Sequence, residues 1–310
     1  MRAAPTTYSR RMRTTHDLTL LRNGHHDPTT RVMVITQSGA CSARIDRATL
    51  TPAGPGTIRI DITDDRPTDV HAWGLGADWL MARVDRLTAR KVGCGPATPL
   101  TPRHQAVARA QRDLGTLLLP ASDTPYHELL PAILGQRITA AQALAQWAAL
   151  CERYGAMAPG PLGLRLPPAP DVLRAIPSWE FHRLGIEQQR ARTLQVAARH
   201  QAYIDGTRDL PGAAARAALM RLPGIGVWTA AVTVGVSHGD PDALPVGDFH
   251  VKNTVAWSLT GTARGTDEEM LATLSPYAGQ RWRVVRMLEK TGCGAPRRGP
   301  KRRLLDIARL

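Results

Sequence analysis

Residues 222–250 read LPGIGVWTAAVTVGVSHGDPDALPVGDFH, and they carry the most informative pattern in the chain. Gly224 and Gly226 lie in a short turn, and the run that begins at Val227 is typical of a helix. Glycine allows a positive φ and a close approach of the backbone to a ligand. A helix that begins just behind such a turn presents unpaired N–H groups and the positive end of its dipole to an anion. The turn therefore predicts a phosphate-binding site.

One carboxylate follows this turn at the end of a loop. Asp248 stands between Gly247 and Phe249, 22 positions after Gly226 (248 − 226). A Gly-x-Gly turn alone is weak evidence, because such turns are common. A phosphate-binding turn and a carboxylate within one short segment together indicate chemistry on a nucleic acid.

The residues of this segment also resemble a known family. LPGIGVWTA resembles the hairpin of the helix-hairpin-helix DNA glycosylases, and Asp248 resembles their catalytic aspartate at about the spacing that the family uses. Within that family the chain looks like the alkylated-base branch, of the 3-methyladenine DNA glycosylase II type. The resemblance implies an α+β fold, with a small β-rich N-terminal domain followed by a mainly α-helical helix-hairpin-helix glycosylase core.

The order of patterns along the chain agrees with that organisation. Residues 57–62 alternate apolar and polar side chains, as a half-buried strand does, and 31–35 and 41–45 are further candidate strands. From about residue 102 the pattern is helical, with expected helices at 126–136, 139–154, 186–203, 211–221, 248–260, 266–274 and 280–291. We expect a basic leader at 1–16, an α/β domain at 17–98, the helical core at 99–295 and a basic tail at 296–310.

The charge of the chain favours a polyanionic partner. The sequence has 40 basic and 26 acidic residues, a net charge of +14, and a pI near 10.7. Only four of the basic residues are lysine, so GC-rich coding is an alternative source of the arginines, but it does not explain the charge excess. A basic surface attracts nucleic acid. Together with the family resemblance, which implies duplex DNA with a damaged base as the partner of a monomer, the charge predicts a DNA-binding protein.

The same composition argues against membrane insertion and secretion. No run approaches the roughly 18 consecutive apolar residues of a membrane span. The leader is rich in Arg and Thr and lacks an apolar core, which excludes a secretory signal. We expect a cytoplasmic protein of a bacterium, associated with the nucleoid through DNA binding.

The family resemblance assigns roles to the hairpin. It implies that the hairpin anchors a DNA phosphate, and that a monovalent cation, Na⁺ or K⁺, is held by hairpin carbonyls. The phosphate contacts are expected from Gly224, Ile225, Gly226, Val227 and the hydroxyl of Thr229. The cation-binding carbonyls are those of Met220, Leu222 and Ile225.

A second segment resembles the part of the family that enters the base stack. Residues 133–139 (ILGQRIT) match the turn between two helices from which a wedge residue is inserted. Gln136 and Arg137 are therefore expected to contact DNA. A relative carries an aliphatic wedge where this chain has Arg137, which instead offers a guanidinium plane for stacking. The alternative for both residues is an exposed polar helix end.

Asp248 is the candidate catalytic residue. Cleavage of an N-glycosidic bond builds positive charge at C1′ of the sugar, and a nearby carboxylate stabilises that charge and orients the attacking water. The alternative role is that of a helix N-cap, which is compatible with catalysis. The resemblance places Trp228 in the base-binding cleft, and Phe249 is expected to share it. An electron-rich ring favours a cationic alkylated base.

Residues that are absent narrow the expected reaction. Strand-nicking members of the family form a Schiff base with a lysine, at the position that Trp228 occupies here. We therefore expect a monofunctional glycosylase that leaves an abasic site and needs no cofactor. The four cysteines are widely spaced, so no iron–sulfur cluster is expected: Cys41, Cys94, Cys151 and Cys293.

Two other functions remain open at this stage. The first is a glycosylase for another lesion, such as uracil, a mispaired base or an oxidised base. The second is a DNA-binding protein that keeps the hairpin but has lost catalysis. Loss of the aspartate would mark the second, and Asp248 is present.

Overall fold

A four-stranded antiparallel sheet forms the N-terminal part of the molecule. The computed structural model describes residues 14–37, 40–63, 66–90 and 99–294. The sheet has the order β2-β3-β4-β5, and a parallel pair joins β1 to β6. The strands are β1 (Thr14–His16), β2 (Thr30–Gln37), β3 (Ala40–Thr51), β4 (Gly54–Thr63), β5 (Arg66–Trp73) and β6 (Thr116–Leu118).

The alternation in residues 57–62 produces the strand that it predicted. Ile58, Ile60 and Ile62 of β4 are buried, and Ile60 pairs with Ile45 of β3. Side chains two apart lie on one face of a strand, so these isoleucines form a continuous apolar surface. Leu80 of α1 (Ala77–Met81), the helix that follows the sheet, packs against this surface. The other two predicted strands, at 31–35 and 41–45, lie within β2 and β3.

The parallel pair β1–β6 connects the start of the described chain to the helical region. Thr14 pairs with Thr116, and the amide of Asp17 donates to the carbonyl of Leu118 at 2.9 Å. Residues 14–16 were expected to belong to the basic leader, and the structure places them in β1 instead. Residues 1–13 and the expected tail, 296–310, lie outside the described residues.

The rest of the chain is helical, as the sequence predicted. Thr139 was expected to cap the helix after it, and it does so in a capping box with Gln142. The short helices of the segment 170–183 were not predicted. The helices are α1 (Ala77–Met81), α2 (Val84–Leu87), α3 (Gln105–Leu114), α4 (Pro125–Leu134), α5 (Ala140–Tyr154), α6 (Pro170–Ala175), α7 (Ser178–Arg183), α8 (Gln188–Arg199), α9 (Gln201–Gly206), α10 (Gly212–Leu219), α11 (Val227–Ser237), α12 (Phe249–Val255), α13 (Asp267–Leu274) and α14 (Arg281–Lys290).

The helices bury two separate cores. Leu129, Trp147 and Leu194 are fully buried in the first, which α4, α5, α8, α10 and α11 share. Val255 and Val284 are fully buried in the second, which α3, α12, α13 and α14 share. The loop from α11 to α12 crosses from one core to the other. The hairpin and Asp248 therefore belong to different helical groups that meet at this loop.

A buried ion pair fixes the sheet to the first helical group. Arg47 of β3 lies 2.5 Å from the carboxylate of Glu128 on α4, and both side chains are at most 5% exposed. Arg47 also donates to the Thr124 hydroxyl at 3.0 Å. Burial raises the pKa of Glu128, and Arg47 opposes that shift. Breaking such a pair leaves an uncompensated buried charge, so it holds the two layers in one register.

None of the described helices is long and apolar enough to span a bilayer.

Candidate active site and nucleic-acid interface

The hairpin places two glycines in different environments. Gly224 has φ of +85°, and a Cβ built there would lie 2.3 Å from the hydroxyl oxygen of Thr193 on α8. Gly226 is extended, and a Cβ there would meet no atom within 4 Å. Gly224 is therefore required for the turn itself. Gly226 leaves open space in front of the start of α11.

That space is faced by the first amides of α11. Gly226 is the N-cap and has no side chain to accept from them. Within the described part of the chain no backbone partner accepts from the amides of Val227, Trp228 or Thr229. Unpaired N–H groups at a helix start bind anions, because the dipole adds to their hydrogen bonds. The arrangement suits a phosphate, as the sequence predicted for this turn.

The side chains of Thr229 and Gln136 stabilise the hairpin from inside. Nε2 of Gln136 donates to the carbonyl of Gly224 and to the hydroxyl of Thr229, both at 2.9 Å. Thr229 is only 2% exposed. The predicted phosphate contact of its hydroxyl is therefore not supported, because the group is buried. Direct contact of Gln136 with DNA stays a prediction, and its observed contacts hold the hairpin against α4.

Arg137 stands at the tip of the turn between α4 and α5. It is exposed and has a positive φ of +59°. No hydrogen bond or ion pair of its guanidinium is seen among the described residues. An exposed side chain at this turn can be inserted between the bases of a bound duplex. The position of Arg137 therefore agrees with the wedge role, which stays a prediction.

Asp248 is held by three donors at the start of α12. One oxygen, Oδ1, accepts from the amides of His250 and Val251 at 2.8 and 3.1 Å, which makes Asp248 the N-cap. The other, Oδ2, accepts from Nε1 of Trp228 at 2.9 Å. The capping role is therefore observed, and it is compatible with the catalytic role, which stays a prediction. The carboxylate has a fixed direction before any substrate arrives.

Trp228 connects the hairpin to the carboxylate. It is the second residue of α11 and is half-buried. A Cβ at Gly135 would lie 3.0 Å from the far edge of its ring. The ring is therefore packed beside the turn that carries Arg137. The hairpin, the candidate wedge and Asp248 meet around this one indole.

A cavity of about 250 Å³ opens next to Asp248. Its walls are mostly apolar, and it is much larger than the roughly 30 Å³ share of one water molecule. It lies where α11, α12, α14 and the segment after β1 converge. The lining residues are Leu20, Val232, Val236, Ala243, Pro245, Asp248, His250, Val251, Trp282 and Glu289.

The structure does not bring Phe249 into this cavity. Its side chain is 62% exposed and meets the ring of His250 edge-on. Successive residues of a helix point about 100° apart, so adjacency to Asp248 does not place Phe249 beside it. The pocket role predicted for Phe249 is therefore not supported by its position. Val232, which stands where the family branch has an aromatic, does line the cavity.

Of the lining residues, the sequence analysis predicted Asp248 and missed the others, which include Glu289 and Leu20. Trp228, predicted for the base-binding cleft, is not among them. Glu289 follows Trp282 by seven positions on α14, and residues at that spacing share a helix face, so the pattern contained a signal for it. Leu20 gave no signal, because it reaches the cavity from the other end of the chain.

The described lysines are both engaged in ion pairs. Nζ of Lys252 lies 3.1 Å from Asp267, and Nζ of Lys290 lies 2.9 Å from Asp17. Neither lines the cavity. Lys91 and Lys301 lie outside the described residues.

Comparison with known proteins finds a family model that matches the region of this site. Residues 130–278 match the HhH-GPD superfamily of base excision DNA repair proteins. The chain carries an HhH-GPD domain. This confirms the resemblance to helix-hairpin-helix glycosylases and the α+β organisation around a helical core. The matched region includes the hairpin, Arg137 and Asp248 of the HhH-GPD domain, but not Glu289.

Solved structures of glycosylases share the fold. A 3-methyladenine DNA glycosylase from Archaeoglobus fulgidus superposes with a TM-score of 0.65 at 12% identity, covering 91% of this chain and 96% of its own. The 3-methyladenine DNA glycosylase of Schizosaccharomyces pombe, in complex with abasic DNA, superposes with a TM-score of 0.51 at 20% identity. The match covers 61% of this chain and 92% of the yeast chain. An 8-oxoguanine glycosylase/lyase of Clostridium acetobutylicum superposes with a TM-score of 0.54 at 12% identity. The match covers 84% of this chain and 99% of the clostridial chain.

A comparison with curated protein sequences gave no match. The family match supports base excision by a DNA glycosylase as the general function of the HhH-GPD domain.

Proposed function

We propose that this protein is a monofunctional DNA glycosylase that removes N-alkylated purines from duplex DNA. The flipped base would enter the cavity beside Asp248, since a base within the duplex is inaccessible to a catalytic side chain. Asp248 would stabilise the charge that develops at C1′ and orient the attacking water. An N-alkylated purine is already cationic, so its departure needs little further activation.

The observation that carries this proposal is the position of Asp248. Its carboxylate is fixed by three donors and borders an apolar cavity, and one of these donors belongs to the hairpin helix α11. A DNA phosphate bound at the start of α11 would therefore set the register between the sugar and the carboxylate. Trp228 lies between the two and presents an indole, whose face attracts cations.

The monofunctional assignment is supported by the indole at position 228. A lyase reaction needs an amine that can attack C1′. Trp228 has none, and Lys252, one turn beyond Asp248, is paired with Asp267. We therefore expect intact strands with abasic sites as products.

The test is single-turnover base release from methylated duplex DNA by the wild type and Asp248→Asn. Asparagine still accepts from the α12 amides, so the helix cap is kept while the charge is lost. We expect release to fall by at least about a hundredfold, in the range seen when one electrostatic stabiliser is removed. Asp209→Asn changes an aspartate that is 80% exposed and serves as the matched control.

Each alternative outcome of this experiment has a distinct meaning. Equal release by wild type and Asp248→Asn would contradict the mechanism. Tight DNA binding without base release would leave two functions, a glycosylase for another lesion and a non-catalytic DNA-binding protein. Duplexes carrying uracil, 8-oxoguanine or a mispair distinguish between them. Release from one of those duplexes assigns another lesion, while no release from any assigns a non-catalytic DNA-binding protein. Nicked strands would contradict the monofunctional assignment.

We also propose that the hairpin holds a monovalent cation, Na⁺ or K⁺, through the carbonyls of Met220, Leu222 and Ile225. Met220 is the C-cap of α10, and the Leu222 carbonyl already accepts the amide of Ile225 at 3.1 Å. Carbonyl oxygens are suitable ligands for such a cation, which would draw the hairpin carbonyls together. DNA affinity in NaCl or KCl should exceed that in tetramethylammonium chloride at equal ionic strength. Equal affinity would contradict the site.

A further inference from the structure

Glu289 is a second carboxyl group that lines the cavity, and its hydrogen-bond partners differ from those of Asp248. Both residues line the same apolar cavity. Asp248 accepts three hydrogen bonds, two of them from backbone amides. Glu289 instead accepts a hydrogen bond from Arg286, one turn earlier on α14, at 2.5 Å. Its side chain is 29% exposed.

The guanidinium beside Glu289 is shared with another carboxylate. Nε of Arg286 donates to Asp17 at 2.8 Å, and Asp17 is also bonded to Lys290. Asp17 therefore competes with Glu289 for the positive charge of Arg286. The charged groups that act on Glu289 are Arg286 on its own helix, Asp17 from the segment after β1 and Asp248 from α12. His250 of α12 lines the same cavity.

These surroundings favour the neutral form of Glu289. Burial raises its pKa, the contact with Arg286 lowers it, and the negative charges of Asp248 and Asp17 raise it, so that the pKa is raised overall. A carboxyl group with a raised pKa can act as an acid beside a second carboxyl group that acts as a base. Glycosidases use such a pair, with one group protonating the leaving group and the other activating water.

We propose that Glu289 is the general acid of this site and protonates the departing base, which extends the reaction to uncharged purine lesions. This inference rests on the proposed function, because it needs the base to occupy the cavity beside Asp248. A cationic alkylated purine leaves without a proton. A neutral purine leaves readily only if one of its ring nitrogens is protonated as the bond breaks.

The proposed reaction balances as follows. The Glu289 carboxyl gives its proton to a ring nitrogen of the base, and the C1′–N bond breaks with its electron pair going to the base. The water oxygen bonds to C1′, and its proton passes to the Asp248 carboxylate. The free base departs neutral. A net proton transfer through solvent, from Asp248 to Glu289, restores both groups.

The experiment compares two substrates with one preparation of each protein. Single-turnover release is measured from duplexes with hypoxanthine, a neutral purine, and with 7-methylguanine, a cationic one, from about pH 5 to about pH 9. For Glu289→Gln we expect the ratio of neutral to cationic release to fall at least about tenfold. Partial unfolding cancels from this ratio, because both rates come from the same preparation. Glu152→Gln, an exposed glutamate on α5, is the control and should keep the ratio.

The pH profile supplies a second readout. In the wild type, the rate of hypoxanthine release should fall as the pH rises through the pKa of Glu289. The rate for Glu289→Gln should not show this fall. If Glu289→Gln kept the wild-type ratio of hypoxanthine to 7-methylguanine release, or the wild-type fall with pH, the general-acid role of Glu289 would be overturned. Release of 7-methylguanine alone by the wild type would also overturn it while leaving the proposed function intact. Release of neither base would overturn the proposed function and this inference with it.

Discussion

The indole Nε1 of Trp228 donates a hydrogen bond of 2.9 Å to Oδ2 of Asp248. The bond joins the second residue of α11 to the N-cap of α12, and so connects the hairpin to the candidate catalytic group. Where strand-nicking relatives are expected to carry a reactive lysine, this chain has a hydrogen-bond donor. The same position therefore supplies orientation instead of a nucleophile.

Replacing Trp228 with phenylalanine should slow base release by about tenfold or more. A hydrogen bond to a charged group contributes about 1.5–3 kcal/mol, and about 1.4 kcal/mol corresponds to a factor of ten. The phenyl ring cannot donate, and it also lacks the far edge of the indole that lies beside Gly135. Single-turnover release from methylated duplex measures the effect, and binding to an abasic-site duplex should be retained. Trp257→Phe is the control, because among the described residues it is Trp228, and not Trp257, that donates to Asp248. Equal rates for Trp228→Phe and wild type would refute the orienting role.

The two hairpin glycines should respond differently to alanine. Gly224→Ala places a Cβ against Thr193 at a φ of +85°, so we expect a loss of about 1–3 kcal/mol in the free energy of unfolding. Gly226→Ala meets no atom of the protein, so its free energy of unfolding should change by less than about 0.5 kcal/mol. Both should bind DNA more weakly. Urea unfolding and fluorescence anisotropy separate the two effects. A Gly226→Ala protein with wild-type affinity would show that the phosphate does not approach this point.

Arg137→Ala should impair base flipping without affecting stability. The side chain is exposed and is free of contacts among the described residues, so its removal costs little folding energy. A wedge fills the gap that a flipped base leaves. Release should therefore slow by about tenfold from a paired lesion, and by less when the lesion lies opposite an abasic site. Arg174→Ala, an exposed arginine at the end of α6, provides the comparison. An equal loss on both substrates would indicate phosphate binding rather than a wedge role.

Local chemistry made much of this site predictable from the sequence. The hairpin glycines, the cap at Thr139 and the carboxylate of Asp248 each depend on residues a few positions apart, and the structure places them as capping and turn rules require. The strand at 57–62 was readable because its apolar residues alternate. β5 was not, because it is an edge strand whose first half, residues 66–69 (RPTD), contains a proline and no alternating apolar residues.

The remainder depends on contacts between distant segments. Leu20 and Glu289 line one cavity although they are far apart in the chain, and no local pattern records that they meet. Phe249 shows the opposite error. It is adjacent to Asp248 in sequence, yet the first turn of α12 directs it to solvent. Sequence therefore identified the candidate catalytic carboxylate, while only the fold showed which side chains surround the cavity beside it.

Asp17→Asn should destabilise the protein at neutral pH and lose this effect in acid. Asp17 is fully buried between Arg286 at 2.8 Å and Lys290 at 2.9 Å. Burial raises its pKa, but these two cations outweigh burial and lower it overall from the usual 3.8. A lowered pKa in the folded state contributes stability that is complete above the unfolded-state value and is lost as the pH falls through the folded-state value. We expect a deficit of about 2 kcal/mol at about pH 7 that shrinks below about pH 4. Urea unfolding across that range measures it, with Asp209→Asn as the exposed control. A deficit that is constant with pH would show that the loss comes from packing and not from the charge of Asp17.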